Sequence, residues 1–194
     1  MGWGGLPDYG GEGRLSYIMI SSLKGEYQTL YKTKAAYAKP SLNDTDCNYI
    51  LGLVTGTKSK TILDFGGGRG HQYSIYKKHN RMGIREENIT IYDIGLEGKD
   101  IMPKEMFDGV ISTDVMEHIP EEEIDEVLDL IFSKARRFVY IGVFCGPALK
   151  LLPNGDNAHC TIKPPEWWRK RIKSRNRRNI PLIIIYRLPK KNDG

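Results

Sequence analysis

The stretch Thr61-Ile62-Leu63-Asp64-Phe65-Gly66-Gly67-Gly68-Arg69-Gly70 constrains the fold more than any other part of this chain. Apolar and β-branched residues run into an acid, and glycines follow at once. Such a run reads as a buried strand that ends in a tight turn and opens into a helix. Glycine permits positive φ and close approach of a ligand to the main chain. The unpaired N–H groups and the dipole at the start of the next helix favour a polar or anionic ligand there.

The remaining pattern alternates strands with helices. Tyr17 to Ala38 is rich in tyrosine (Tyr17, Tyr27, Tyr31, Tyr37), and Tyr27 and Tyr31 share a helix face. Pro40 breaks that segment, and Ser41 or Asn43 can cap a second helix through Val54. After the glycines, His71 to Met82 reads as a helix, and Ile89-Thr90-Ile91-Tyr92-Asp93 as a second strand ending in an acid. Gly95 to Pro103 is loop. Phe107 to Thr113 reads as a strand, and Pro120 to Ala135 as a helix with Ile124, Val127, Leu128 and Ile131 on its inner face. Arg137 to Phe144 follows as a strand, Gly146 to Lys163 as a long loop, Glu166 to Arg178 as a helix, and Leu182 to Arg187 as a final buried strand. This order predicts an α/β fold: a doubly wound, mostly parallel sheet covered on both faces, with N-terminal helices. Ligands would then sit at the carboxyl ends of the strands.

With 194 residues and 40% hydrophobic content the chain suits a single core. Residues 1–16 read as a flexible Gly-rich arm, 17–188 as one domain and 189–194 as a tail. No apolar run of about 18 residues is present, which argues against a membrane span. Three cysteines (Cys47, Cys145, Cys160) without metal-like spacing or a secretory signal predict reduced thiols and a cytoplasmic setting. The net charge of +5 is concentrated in Arg169 to Arg178, which holds seven basic residues. Such a run is either a solvated helix face or a contact surface for nucleic acid.

A Gly-rich turn serves several cofactors. The dinucleotide fingerprint is G-x-G-x-x-G with an acid about 20 residues on. Here the spacing is G-x-G-x-G, with Asp64 two positions before Gly66, and no Gly-Lys-Ser/Thr follows. Asp93 is either an ordinary strand-end acid or an acceptor for two ribose hydroxyls. Phe107-Asp108-Gly109-Val110 and Asp114-Val115-Met116-Glu117-His118-Ile119 supply a third landmark. Together the three resemble class I S-adenosylmethionine-dependent methyltransferases, from about Thr61 to Phe144. The resemblance implies that Asp64 holds the loop and reaches toward the methionine amine. It implies that Gly66, Gly67, Gly68 and Gly70 line the cofactor, that Asp93 takes the ribose, and that Thr113 and Asp114 lie beside the methionine. Relative to that family the strand count is low. A missing or very short third strand and a reduced C-terminal hairpin are expected.

Asp114, Glu117 and His118 follow i, i+3, i+4 spacing, which on a helical turn places them on one side. His159 in the long loop is a fourth candidate. Carboxylates with imidazoles suit several divalent metals. The arrangement resembles a subset of the same superfamily, the small-RNA 2′-O-methyltransferases and some quinone-biosynthesis O-methyltransferases. The resemblance implies that Asp114, Glu117, His118 and His159 hold a divalent ion, Mg or Mn. Alternatively, Glu117 and His118 only shape the loop beside the cofactor. Asp114, His118 and His159 are the candidate catalytic groups, since an imidazole can serve as general base without metal. Trp167 and Trp168 follow, one expected in the core and the other beside the substrate. The favoured expectation is methylation of a hydroxyl on a small molecule or glycan. The alternatives are an RNA 2′-O-methyltransferase gripping phosphates with residues 169–178, and a module that binds S-adenosylmethionine without catalysis.

Overall fold

A computed structural model describes residues 24–33, 41–149, 151–152 and 154–189. The expected arm 1–16, Tyr17, Tyr37, Pro40, the side chain of Tyr27 and all but the first residue of the expected tail lie outside these residues. Five strands form one sheet: β1 (Ile62–Phe65), β2 (Ile89–Tyr92), β3 (Phe107–Thr113), β4 (Ala135–Phe144) and β5 (Leu182–Arg187). Their spatial order is β2-β1-β3-β4-β5, and every neighbouring pair is parallel. This is a Rossmann-like α/β fold of reduced size. Among the described residues no strand lies beyond β2 and no antiparallel hairpin beyond β5. The direction of winding reverses between β1 and β3, so the Gly-rich turn at the end of β1 sits at the switch point where such sheets bind ligands.

The strands are apolar on both faces because helices cover both. On one face Leu63, Phe65, Val110, Val139, Ile141 and Val143 pack against Ile124, Val127, Leu128 and Ile131 of α5 (Ile124–Lys134) and Trp168 and Ile172 of α6 (Pro165–Arg175), all buried. On the other, Ile62, Ile111, Phe138 and Tyr140 meet Cys47, Ile50 and Val54 of α2 (Asp44–Thr57) together with Tyr73 and Met82. The short helix α1 (Lys24–Thr33) precedes these elements. Asn43 caps α2: its Oδ1 accepts from Asp46 N and Asp46 Oδ2 accepts from Asn43 N, both at 2.9 Å, a reciprocal capping box.

Several expected boundaries move. His71 to Met82 is not one helix but two single turns, α3 (His71–Ser74) and α4 (Lys78–Arg81), separated by Lys77 at φ 50°. Tyr73 and Met82 both enter the same core cluster. Nine residues apart, they would lie about 180° apart on a straight helix, so the break is what lets both face inward. The turn after Pro120 is 3₁₀ over Glu121–Glu123, and α5 starts only at Ile124. β4 begins two residues earlier than expected, and α6 ends at Arg175 rather than Arg178. β5 is half-buried at every position rather than buried, because it is an edge strand.

Arg187 at the end of β5 ties three elements together. Its Nη2 donates to Asp46 Oδ2 at 2.6 Å, and its Nη1 donates to Asp114 Oδ1. Asp46, 1% exposed, also accepts from Tyr140 Oη at 2.6 Å. Removing the guanidinium would leave a buried carboxylate without its counter-charge. Arg187→Met is therefore expected to lower stability by about 3–5 kcal/mol, with Arg187→Lys losing less. Urea denaturation followed by circular dichroism checks this; a loss below about 1 kcal/mol would mean that the network is not structural.

Candidate active site

The Gly-rich turn is built largely by packing. A Cβ on Gly66 would strike Val115, one on Gly67 would strike Asp64, and one on Gly70 would strike Ile91. Gly68 differs: at φ 58°, its missing side chain would meet, among the described residues, only the Tyr31 hydroxyl, at 3.3 Å. Gly68 is thus the glycine whose open side a ligand could approach. Beneath the turn, Asp64 is 1% exposed, and its Oδ2 accepts from Tyr73 Oη at 2.8 Å and from Gln72 Nε2. Burial, opposed by these two donors, pushes its carboxyl up to about 7.

Asp93, at the end of β2, is 6% exposed and already accepts three hydrogen bonds. Gly68 N donates to its Oδ2 at 2.9 Å, Gly95 N to Oδ1 at 3.0 Å, and the Tyr31 hydroxyl to Oδ2 at 2.9 Å. Burial raises its pKa and these donors oppose the rise. The two amides fix the carboxylate, and the third donor is a hydroxyl from α1. That helix is held over the turn by Arg69, which donates to Tyr31 O at 3.1 Å, and by the Lys24–Asp100 pair at 2.7 Å. Lys99 Nζ donates to Gly68 O and Arg69 O at 3.3 and 2.9 Å. Tyr31, Lys99 and Arg69 were not singled out as site residues from sequence. For Tyr31, only the tyrosine-rich run pointed there.

The second constellation gathers three of its four expected members. One ligand atom from each of Glu117, His118 and His159 lies within 4.8 Å of the others. Glu117 and His118 stand on a 3₁₀ turn (Met116–His118) just beyond β3. They do not share a helical face with Asp114, which has φ 55° and lies outside the turn. Asp114 is also outside the three-residue group, its carboxylate engaged by Arg187. Burial raises the Asp114 pKa against the opposing charge of Arg187. The donor set is thereby two imidazoles and one carboxylate. That set suits Mn and later transition metals better than Mg, which prefers oxygen.

The long loop is braced to deliver His159. Thr161 N donates to Glu117 O at 3.0 Å, and Thr161 Oγ1 to Ile119 O at 2.6 Å. The Asn157 side chain accepts from Ala148 N and from His159 N, both at 2.9 Å, and donates to Ala148 O at 3.0 Å. His118 Nδ1 lies 2.7 Å from Ala158 O, and His159 Nδ1 lies 2.6 Å from Gly146 O. A carbonyl only accepts, so each Nδ1 carries the proton and each neutral ring has its lone pair on Nε2. Outer-shell carbonyls orient metal-binding histidines in this way. The rings stand edge to face with centroids 4.7 Å apart.

Glu117 is fully buried. Its Oε1 accepts from Phe144 N at 3.2 Å, while Oε2 has no hydrogen-bond partner among the described residues. Burial, with Asp114 adding to it, raises the carboxyl to about 8. An orphaned carboxylate oxygen beside two oriented imidazoles fits a cation. Ligand bonds of about 2.1 Å allow donors at most about 4.2 Å apart, so the three groups would draw inward around an ion. Thr113 shares a hydrogen bond with Ser41 through their hydroxyls, at 2.7 Å. Trp168 is buried, as expected of one tryptophan. Trp167 is half-buried, with Lys163 Nζ and Arg171 Cζ over its ring at 5.5 and 5.3 Å. Cations of this chain therefore use the ring expected to wall a substrate.

Comparison with known proteins returns no matching family model and no matching curated relative. Among the described residues no helix is long and apolar enough to cross a membrane.

Two outcomes follow from this geometry. Calorimetric titration with Mn²⁺ should show binding that Glu117→Gln and His159→Ala each weaken by at least about tenfold, while Asp114→Asn stays within about threefold. A comparable loss in Asp114→Asn would make it a ligand after all. Separately, Asp64 holds its proton more tightly folded than unfolded. Its contribution to stability is full below about pH 4, and is lost as pH rises through about 7. Asp64→Asn keeps an oxygen for Gln72 and Tyr73, so its melting temperature should fall less than the wild type's between those limits. Parallel curves would count against this shift.

Proposed function

We propose that the chain is an S-adenosylmethionine-dependent methyltransferase acting on a hydroxyl group of a small molecule or sugar, with a divalent metal assisting. The observation that carries this reading is the position of the Glu117–His118–His159 group. It stands just past the end of β3, where Val115 packs on Gly66 of the switch-point turn. A cofactor turn and a polar, metal-capable group thus share one end of the sheet.

The residues present fit both groups. Asp93 holds a carboxylate fixed by two amides, with the Tyr31 hydroxyl where a ligand hydroxyl would donate. Gly68 leaves the main chain open beside it. Glu117 Oε2 and the two Nε2 lone pairs supply the donor set for an ion. When bound, S-adenosylmethionine supplies the methyl group and a divalent ion acidifies the acceptor hydroxyl.

The chain's own work is placement. Asp93 takes the ribose hydroxyls once Tyr31 yields its place. Asp64 stays under the turn, bonded to Tyr73 and Gln72, and supports the loop from below. His118 and His159, oriented by their Nδ1 contacts so that Nε2 is the basic nitrogen of the neutral ring, either hold the ion or take a proton at Nε2. Orientation of the acceptor accounts for much of the rate in such a reaction.

Titration with S-adenosylhomocysteine, with Mn²⁺ and with EDTA, tests the reading. Binding is expected, and Asp93→Ala should weaken it by about tenfold or more, with folding checked by circular dichroism. His159→Ala should retain that binding and lose turnover. No heat with any combination sinks the proposal.

A further inference from the structure

Of the seven basic residues in 169–178, three are turned toward α5 and two line a groove. Arg171 Nε lies 2.5 Å from Asp125 Oδ1, and Arg175 Nε lies 2.8 Å from Asp129 Oδ1. Arg178 donates to the carbonyls of Phe132 and Ala135. These three bind α6 and its continuation to α5, and their hydrogen-bonding capacity is directed inward. Arg169 and Lys173 are exposed and make no ion pair among the described residues. They are four apart on α6, so they project along one face with about 5–6 Å between their Cβ atoms.

That face overhangs β5, which among the described residues pairs with no further strand. Arg169 and Lys173 line a groove of about 470 Å³ whose floor includes Leu182, Ile184 and Tyr186 of β5. All three floor residues are half-buried and packed against the main core. At the lower end Asn179 lies on the rim. The six residues of β5 span about 20 Å. The groove therefore pairs a row of cations with an apolar and aromatic floor. Cations that track a backbone beside an aromatic platform are how single strands of nucleic acid are held without sequence readout. An added peptide strand would pair with the β5 edge through its main chain, whereas a row of cations beside an apolar floor matches a phosphate backbone.

The groove also leads toward the active site. Tyr186 lies near the carboxyl end of the strand, in register with Val143 of β4. Val143 precedes Phe144, whose N donates to Glu117 Oε1 at 3.2 Å and whose ring centroid lies 5.4 Å from that of His159. Tyr186 thus marks the end of the groove nearer the metal-capable group.

We propose that the groove between α6 and β5 binds single-stranded nucleic acid, with phosphates on Arg169 and Lys173 and a base stacked at Tyr186, and directs it toward Glu117, His118 and His159. The binding surface stands on its own charges and shape; that the strand is the methyl acceptor rests on the methyltransferase reading. It would narrow the acceptor from a free small molecule to a sugar hydroxyl within a strand.

The test is fluorescence anisotropy of the full chain with a labelled mixed-sequence RNA of roughly 12 nucleotides, across a range of NaCl. The double variant Arg169→Ala/Lys173→Ala is expected to weaken binding by about tenfold or more and to flatten the log–log salt slope by about 1.4, the value for two lost phosphate contacts on a single strand. Tyr186→Leu keeps the floor apolar and should weaken binding by about fivefold or more without changing the slope. The matched charge control Lys170→Ala/Arg177→Ala should lose clearly less than the groove double. No binding by the wild type, or equal loss in both double variants, overturns the proposal. So does a concentration-dependent dimer in sedimentation that Tyr186→Asp dissolves, because a second copy would then own the edge. S-adenosylhomocysteine titration on the same samples separates the two readings. Cofactor binding without RNA binding overturns the groove alone. Groove-dependent RNA binding without cofactor binding upholds the groove and removes its link to methyl transfer.

Discussion

The carboxylate of Asp46 organises this molecule from a buried position. It closes the capping box of α2, accepts the Tyr140 hydroxyl from β4, and receives the Arg187 guanidinium from β5. A buried carboxylate costs several kcal/mol to desolvate unless charge and hydrogen bonds compensate it. Here every contact does so from a different element, so the compensation also fixes where the elements meet. The same guanidinium reaches Asp114 at the end of β3, and its Nη2 approaches Ser41 O at 3.4 Å. Ser41 shares its hydroxyl with Thr113. The end of β3, from which the candidate active site projects, is thereby held by the last strand and by the start of α2.

That tether decides which acids can serve the site. Asp114 is committed to Arg187, whereas Glu117, three residues on, is buried with one oxygen unbonded. The partly exposed Asp114 is satisfied by a fixed cation, while the fully buried Glu117 keeps an oxygen for a ligand. Burial raises both pKa values, and the Arg187 charge opposes the rise at Asp114.

How much of this was legible in the sequence follows the range of each interaction. β1, β2 and β4 announced themselves through β-branched runs, and the Gly-rich turn through composition, because those signals are local. The inner face of α5 was readable from spacing alone. The break inside His71 to Met82 was not, since it depends on Tyr73 and Met82 competing for one core cluster. The expected helical face of Asp114, Glu117 and His118 failed for a related reason. The chain leaves β3 through a left-handed residue before it turns. His159 stood out as a metal-capable residue of the long loop, and the structure supplies what spacing could not: the Asn157 brace and the Thr161 stitch that bring it to His118. The Asp46–Arg187 pair spans 141 positions and has no local signature at all.

The basic helix shows why counting charges misleads. Seven basic residues look like one surface on paper, yet helical spacing sends Arg171 and Arg175 toward the aspartates of α5 and turns Arg169 and Lys173 away from them. Asp125 and Asp129 are themselves four apart, so the two helices meet as matched ladders. Such partly exposed pairs add little stability individually, but they orient α6 so that its unpaired face overhangs β5. The acidic residues of α5 thus contribute to the character of a groove they do not line.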